Sequence, residues 1–221
     1  NAVEEGRGIY DNIKKFVVYL LSSNLGEVLT IFISIMIGLP LPLIAIMLLW
    51  INLVTDGIPA LALSVDPADK NIMDHRPRKK KERILSNVTI IGMVLVGLVM
   101  AVGTLGLFIA EDPHNNLVKA QTMAFVTCVM FQLFNVLNCR SEFQSIFKVG
   151  LFSNMKVWLA IASSIVLQVI VVQMPFLNKF FQTVPLSGFE WLITIGVASS
   201  VLVFVELYKW GIRTFRADLI R

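Results

Sequence analysis

The sequence predicts an all-α membrane protein with six transmembrane helices and both termini in the cytoplasm. Three observations carry that prediction. Of the 221 residues, 56% are hydrophobic and the mean hydropathy is +0.76, where a soluble domain is about 45–50% apolar. Only 15% are charged, against about 25% in an ordinary domain. The apolar residues also gather into six runs, 16–38, 44–65, 88–110, 120–137, 157–174 and 189–210, and about 20 apolar residues suffice to cross a bilayer as helix. No soluble domain of useful size remains outside the lipid. Orientation follows from Lys and Arg. With the N-terminus inside, the cytoplasmic segments hold 17 of the 19 basic residues, all but Lys119 and Lys179, as the positive-inside rule requires.

The elements follow in chain order. Residues 1–15, NAVEEGRGIYDNIKK, are polar and charged, unlike a signal peptide. They read as a stalk helix already under way and running into the first span, which predicts a longer parent chain. The connection GLPLP, 38–42, is short and uncharged. It makes residues 16–65 a tight helical hairpin whose polar residues can face one another. Residues 66–87 form a cytoplasmic loop, DPADKNIMDHRPRKKKER at its heart, predicted to fold over the cytoplasmic mouth. Its basic run reads as a topology-fixing segment that touches anionic headgroups, with no nucleic-acid partner. After the third span, EDPHNN is a short outer loop in which His114 is a solvated residue. Cys128 and Cys139, in or just after the fourth span, have neither a disulfide framework nor a metal spacing and read as reduced structural residues. Residues 138–156 are cytoplasmic and 175–188 external, so 88–221 supply four further helices and a basic tail. No internal or inverted repeat is evident.

The residues that invite a function lie inside the hairpin. Glu27 and Asp56 are the only acidic residues deep in any span. Glu190 and Glu206 sit near the ends of span six, within reach of the headgroups. An ionisable group at bilayer depth costs at least about 2.5–3.5 kcal/mol on insertion scales. In SSNLGEV, Asn24 lies three residues before Glu27 and shares its helix face. In WINLVTDG, Asn52, Thr55 and Asp56 fall at i, i+3 and i+4. All five offer oxygen, with no His or Cys among them. Such a set suits hard cations such as calcium, sodium or magnesium and not zinc or copper. Gly57 and Pro59 predict a helix break just after Asp56, because proline lacks an N–H and crowds the carbonyl four residues back, that of Thr55. Freed carbonyls are tolerated at this depth where they line a polar cavity. Asn and Thr alone commonly hold membrane helices together. Two carboxylates on facing helices, with no Lys or Arg at their depth, need protons or a cation instead. In the fourth span Gln132 and Asn135, three apart, either complete such a site or pack against neighbours.

These motifs resemble the C-terminal membrane half of P-type cation-pumping ATPases, with type IIA calcium pumps of the sarcoplasmic-reticulum kind nearest. VEEGRGIYDNIKKFVVYLLSSNLGEV resembles the stalk and fifth helix of those pumps. LPLPLIAIMLLWINLVTDGIPALALSVDPADKNIMDHRPR resembles the sixth helix and the loop after it. The other four spans match in number, spacing and orientation, with weaker motifs such as FNVLNCRSE. The resemblance implies a transmembrane-domain fragment carrying the fifth to tenth helices, and calcium as the transported ion. It places Asn24, Glu27, Thr55 and Asp56 at a first calcium site. Asn52 and Asp56 fall at a second, completed by a carboxylate and carbonyls from a fourth helix that this sequence lacks, and Asp56 bridges the two. Gln132 stands where two-calcium pumps have a carboxylate. Glutamine there, with Glu27 retained, implies one calcium at the second site and proton exchange at Glu27.

The phosphorylation motif DKTGT and the TGDGVNDAP-like hinge motif are not in this sequence. The resemblance therefore implies that ATP and Mg2+ act through actuator, phosphorylation and nucleotide domains, which with the first four helices would precede residue 1. On that reading this chain alone neither hydrolyses ATP nor pumps, and its isolated fold is poorly stable. The stalk and the 66–87 loop would couple phosphorylation to the cavity. The implied location is multi-pass, in the plasma membrane if the source is bacterial. Two other readings stay open: a P-type pump for Na+ or H+, and a free-standing six-span channel or carrier.

Overall fold

The computed structural model describes residues 2–67, 73, 84–150 and 152–215. The basic run at 76–83, Lys70, Arg216 and Arg221 lie outside them. Among the described residues the structure is all helical. The elements are α1 (Ala2–Met36), α2 (Ala45–Trp50), a π-helical turn (Ile51–Thr55), α3 (Gly57–Ser64), α4 (Asn87–Ala110), α5 (Leu117–Cys139), α6 (Ile146–Val149), α7 (Met155–Gln173), α8 (Pro175–Phe181) and α9 (Gly188–Phe215). Six of the helical segments are long and apolar enough to cross a membrane, α2 to α3 counting as one. They coincide with the six runs. The stalk and first span are one continuous helix, and the last helix runs on past residue 210 to Phe215.

The bundle is built around α5. Of its most apolar 18-residue stretch 89% is buried, against 17% for α9. This division explains their compositions. On α9, Phe189, Leu192, Val203, Phe204 and Leu207 are exposed, which in a bilayer places them in lipid. With no lipid face to serve, α5 buries Gln121, Thr122, Thr127, Gln132, Asn135 and Asn138, each given partners by neighbouring helices or by its own backbone. Close approach depends on small residues. A Cβ on Gly97 of α4 would stand 3.3 Å from the Gly26 nitrogen on α1, and one on Gly103 only 2.4 Å from the Phe131 ring of α5.

The hairpin turn after α1 forms as its sequence dictates. Gly38 takes φ +75°, a region that favours glycine, and Ser34 Oγ donates to the Pro40 carbonyl at 2.9 Å. Other ends are capped by side chains: Ser86 Oγ accepts from the Thr89 nitrogen and Asn154 Oδ1 from those of Lys156 and Val157. The expected loop at 175–188 contains a short helix, α8, begun by Pro175 and ended by Gln182 at φ 52°. At that end of the bundle Lys119 bridges Glu111 (2.9 Å) and Glu190 (2.7 Å), tying α5 to α4 and α9.

Candidate ion-binding site

The stretch around Asp56 is wound differently from the break expected at Gly57–Pro59. The chain stays helical but widens by one residue. The Asp56 N–H donates to the Ile51 carbonyl at 2.8 Å, five residues back, and the α-pattern resumes with the Ala60 N–H on the Asp56 carbonyl at 3.0 Å. π-Turns of this kind concentrate at functional sites. Because Pro59 has no N–H, the Thr55 carbonyl loses its helical donor. The hydroxyl of Tyr19 on α1 lies 3.3 Å from it and 3.0 Å from Asp56 Oδ1. One phenol therefore serves both groups that the irregular turn leaves open.

Glu27 is fixed from two sides. Asn52 Nδ2 donates to its Oε2 at 3.0 Å and Gln132 Nε2 to its Oε1 at 2.7 Å. Glu27, Thr55, Asp56 and Gln132 are all buried, Asp56 and Gln132 completely. Among the described residues no Lys or Arg pairs with either carboxylate. Three fully buried oxygens here have no hydrogen-bond partner: Asp56 Oδ2, Gln132 Oε1 and Ser23 Oγ. Leaving a buried acceptor unpaired costs about 1–3 kcal/mol, and all three atoms are of the kind a hard cation accepts. Among the described residues there is no group of three or more His, Cys, Asp or Glu, so the polarity comes from amides and hydroxyls around two acids.

Of the six residues singled out from sequence, Glu27, Asn52 and Gln132 are joined directly. Asp56 meets α1 through Tyr19. Thr55 turns its hydroxyl back to the Ile51 carbonyl at 2.9 Å. Asn24 is only partly buried, and its amide bonds the Leu20 carbonyl of its own helix at 2.8 Å. Asn52 is exposed although it holds Glu27, and its Nδ2 is shared with the Leu48 carbonyl, so the site has an open side there. Gln132 completes the Glu27 environment, while Asn135 bonds Ser22 on α1 at 2.9 Å.

Sequence reasoning missed Tyr19 and Ser23. Both lie on the stripe of α1 that holds Glu27, at steps of four residues. Extending the helical face backward from Glu27 would have reached them.

Residues 40–211 match the family described as "Cation transporting ATPase, C-terminus". The chain belongs to this family. Glu27 and the rest of α1 precede the matched region, but pairwise similarity extends further. A calcium-transporting ATPase of Bacillus subtilis (strain 168) is 41% identical over 201 residues, 90% of this chain and 22% of that protein. The calcium-transporting ATPase type 2C member 2 of Rattus norvegicus is 40% identical over 95% of this chain and 22% of its own length. The human type 2C member 1 is 38% identical over 95% of this chain and 23% of its own length. The chain thus spans about a fifth of the length of the curated relatives it matches. Membership of a family of membrane cation transporters agrees with six apolar helices and an integral, multi-pass protein.

Proposed function

We propose that this chain is the ion-binding membrane part of an ATP-driven calcium pump that exports Ca2+ from the cytosol, with protons travelling the other way. One observation carries the reading: two buried carboxylates on adjacent helices, without basic partners, beside three buried oxygens that lack donors. The family and the names of the relatives select calcium from among hard cations.

Asp56 is the principal ligand. It is wholly buried, one of its oxygens is unpartnered, and it sits on the π-turn. Asn52 and Thr55 are its neighbours in the ligand set, and Asn24, Glu27 and Gln132 form the other half of the cavity. Calcium takes six to eight oxygens. The open side at Asn52 is where a fourth helix of the parent pump would bring a carboxylate and carbonyls. Both Glu27 oxygens already accept amide hydrogens, so a cation at Glu27 requires Asn52 and Gln132 to turn their amides. That favours one calcium at Asp56, with Glu27 carrying the exchanged proton. In the parent pump, actuator, phosphorylation and nucleotide domains use Mg2+ and ATP, residues 1–15 act as the stalk, and the 66–87 loop docks beneath the phosphorylation domain, with both termini in the cytoplasm.

The test is calcium-activated ATP hydrolysis and uptake by the full-length pump in vesicles. Asp56→Asn should abolish calcium activation while phosphorylation by inorganic phosphate persists. Undiminished calcium activation in Asp56→Asn would sink the proposal, and two calcium ions per ATP in the unaltered pump would sink the one-ion assignment.

A further inference from the structure

Ten residues beyond Asp56, where α3 gives way to the 66–87 loop, stands a second buried carboxylate. Asp66 has a side chain 2% exposed. It receives bonds from three other segments. Lys15 of α1 donates to Oδ2 at 2.7 Å, and Asn154, the N-cap of α7, donates to Oδ1 at 2.7 Å. The guanidinium of Arg140, at the end of α5, lies 3.4 Å from the same oxygen. Asn12 of α1 donates to the Asp66 carbonyl at 2.7 Å. Asp66 thus ties together the ends of the helices that build the cavity.

The two acids are joined by α3, eight helical residues or about 12 Å of rod. On α1 the matching points are Lys15, which holds Asp66, and Tyr19, which holds Asp56, one helical turn apart. Helix α1 and the α2–α3 segment are therefore pinned twice, once at the ion site and once at the hub. A helix segment held at both ends transmits a displacement of one end to the other, because packed interiors deform little.

We infer that Asp66 is a positioning residue for the cation site. It fixes the end of α3, so that movement of α1 at Lys15 is delivered to Asp56 as a change in cation affinity. The inference rests on the calcium-pump reading above, and it assigns to Asp66 and Lys15 a role beyond ligation.

The experiment uses the full-length pump with Asp66→Asn, Lys15→Met, the double variant and Asp56→Asn. The readouts are the calcium concentration for half-maximal activation, the maximal rate, and phosphorylation by inorganic phosphate without calcium. Asp66→Asn and Lys15→Met should each raise the half-activating calcium concentration about tenfold, within the range of ordinary site-to-site coupling. Phosphorylation by inorganic phosphate should persist. The double variant should be no worse than the stronger single, because both cut one link. Half-activating concentrations within twofold of the unaltered pump overturn the inference, as does a fall in maximal rate alone. Multiplying effects in the double variant refute the shared link. Lys15→Met leaves the Arg140 and Asn154 bonds to Asp66 in place, so it decides the matter if Asp66→Asn folds poorly. If Asp56→Asn retains its calcium response, the pump reading fails and not the hub.

Discussion

Replacing Glu27 separates its structural role from its role with ions. Its two oxygens accept one amide hydrogen each, from Asn52 and Gln132. In Glu27→Ala both donors lose their acceptor. At about 1–3 kcal/mol for each buried orphan, the loss is about 2–6 kcal/mol before any cavity is counted. Glu27→Gln presents a different case. Its Oε1 can still accept from Asn52, and its Nε2 can donate to Gln132 Oε1, which has no partner in the native arrangement. Gln132 need only turn its amide over, so the hydrogen-bond count is conserved and only a charge is lost. Glu27→Gln should therefore unfold in detergent within about 1 kcal/mol of the unaltered pump, at the net worth of one hydrogen bond, while Glu27→Ala is clearly less stable. In vesicles Glu27→Gln should still carry calcium, with half-activation shifted less than threefold, but without calcium-coupled proton export from the lumen. Loss of calcium-dependent phosphorylation in a stably folded Glu27→Gln pump would refute the reasoning and make Glu27 a calcium ligand.

Other outcomes follow from the same geometry. Gln132→Glu should raise calcium affinity or the number of ions per ATP, measured by isotope uptake against phosphate release, because it sets a second acid beside Glu27; no change would remove Gln132 from the cavity's ligands. Gly103→Ala should cost about 1–3 kcal/mol, as overpacking does, because the new Cβ would stand 2.4 Å from the Phe131 ring. Phe131→Leu should recover most of that loss in a thermal-unfolding comparison of the single and double variants.

The spans and the hairpin were legible because bilayer thickness and a five-residue connection leave the chain few choices. Pairing Asn52, Thr55 and Asp56 on one face was legible from helical spacing. The winding at Asp56 was not: Gly57 and Pro59 predict an interruption, yet one five-residue hydrogen bond upstream absorbs the missing N–H and keeps the helix running. Tyr19 escaped notice because an aromatic ring in an apolar run reads as core until its hydroxyl finds a partner. Asp66 reads as an ordinary loop acid. Its partners lie 51, 74 and 88 residues away in sequence, and separations of that kind have no signature in a single chain. Asn24 shows the opposite error, since sharing a face with Glu27 did not prevent it from bonding its own backbone.

The sheathing of α5 has a consequence for how the molecule is made. It is the least apolar of the six candidate spans, and it carries two glutamines and two asparagines that the finished fold buries. Entering lipid alone, it would present those amides to hydrocarbon, where polar side chains are penalised. Its insertion therefore depends on α1 and α4, which emerge from the ribosome earlier and offer partners for Gln132 and Asn135. Biogenesis of this membrane domain is thus an ordered assembly, in which the helix at the centre is received by helices already in place.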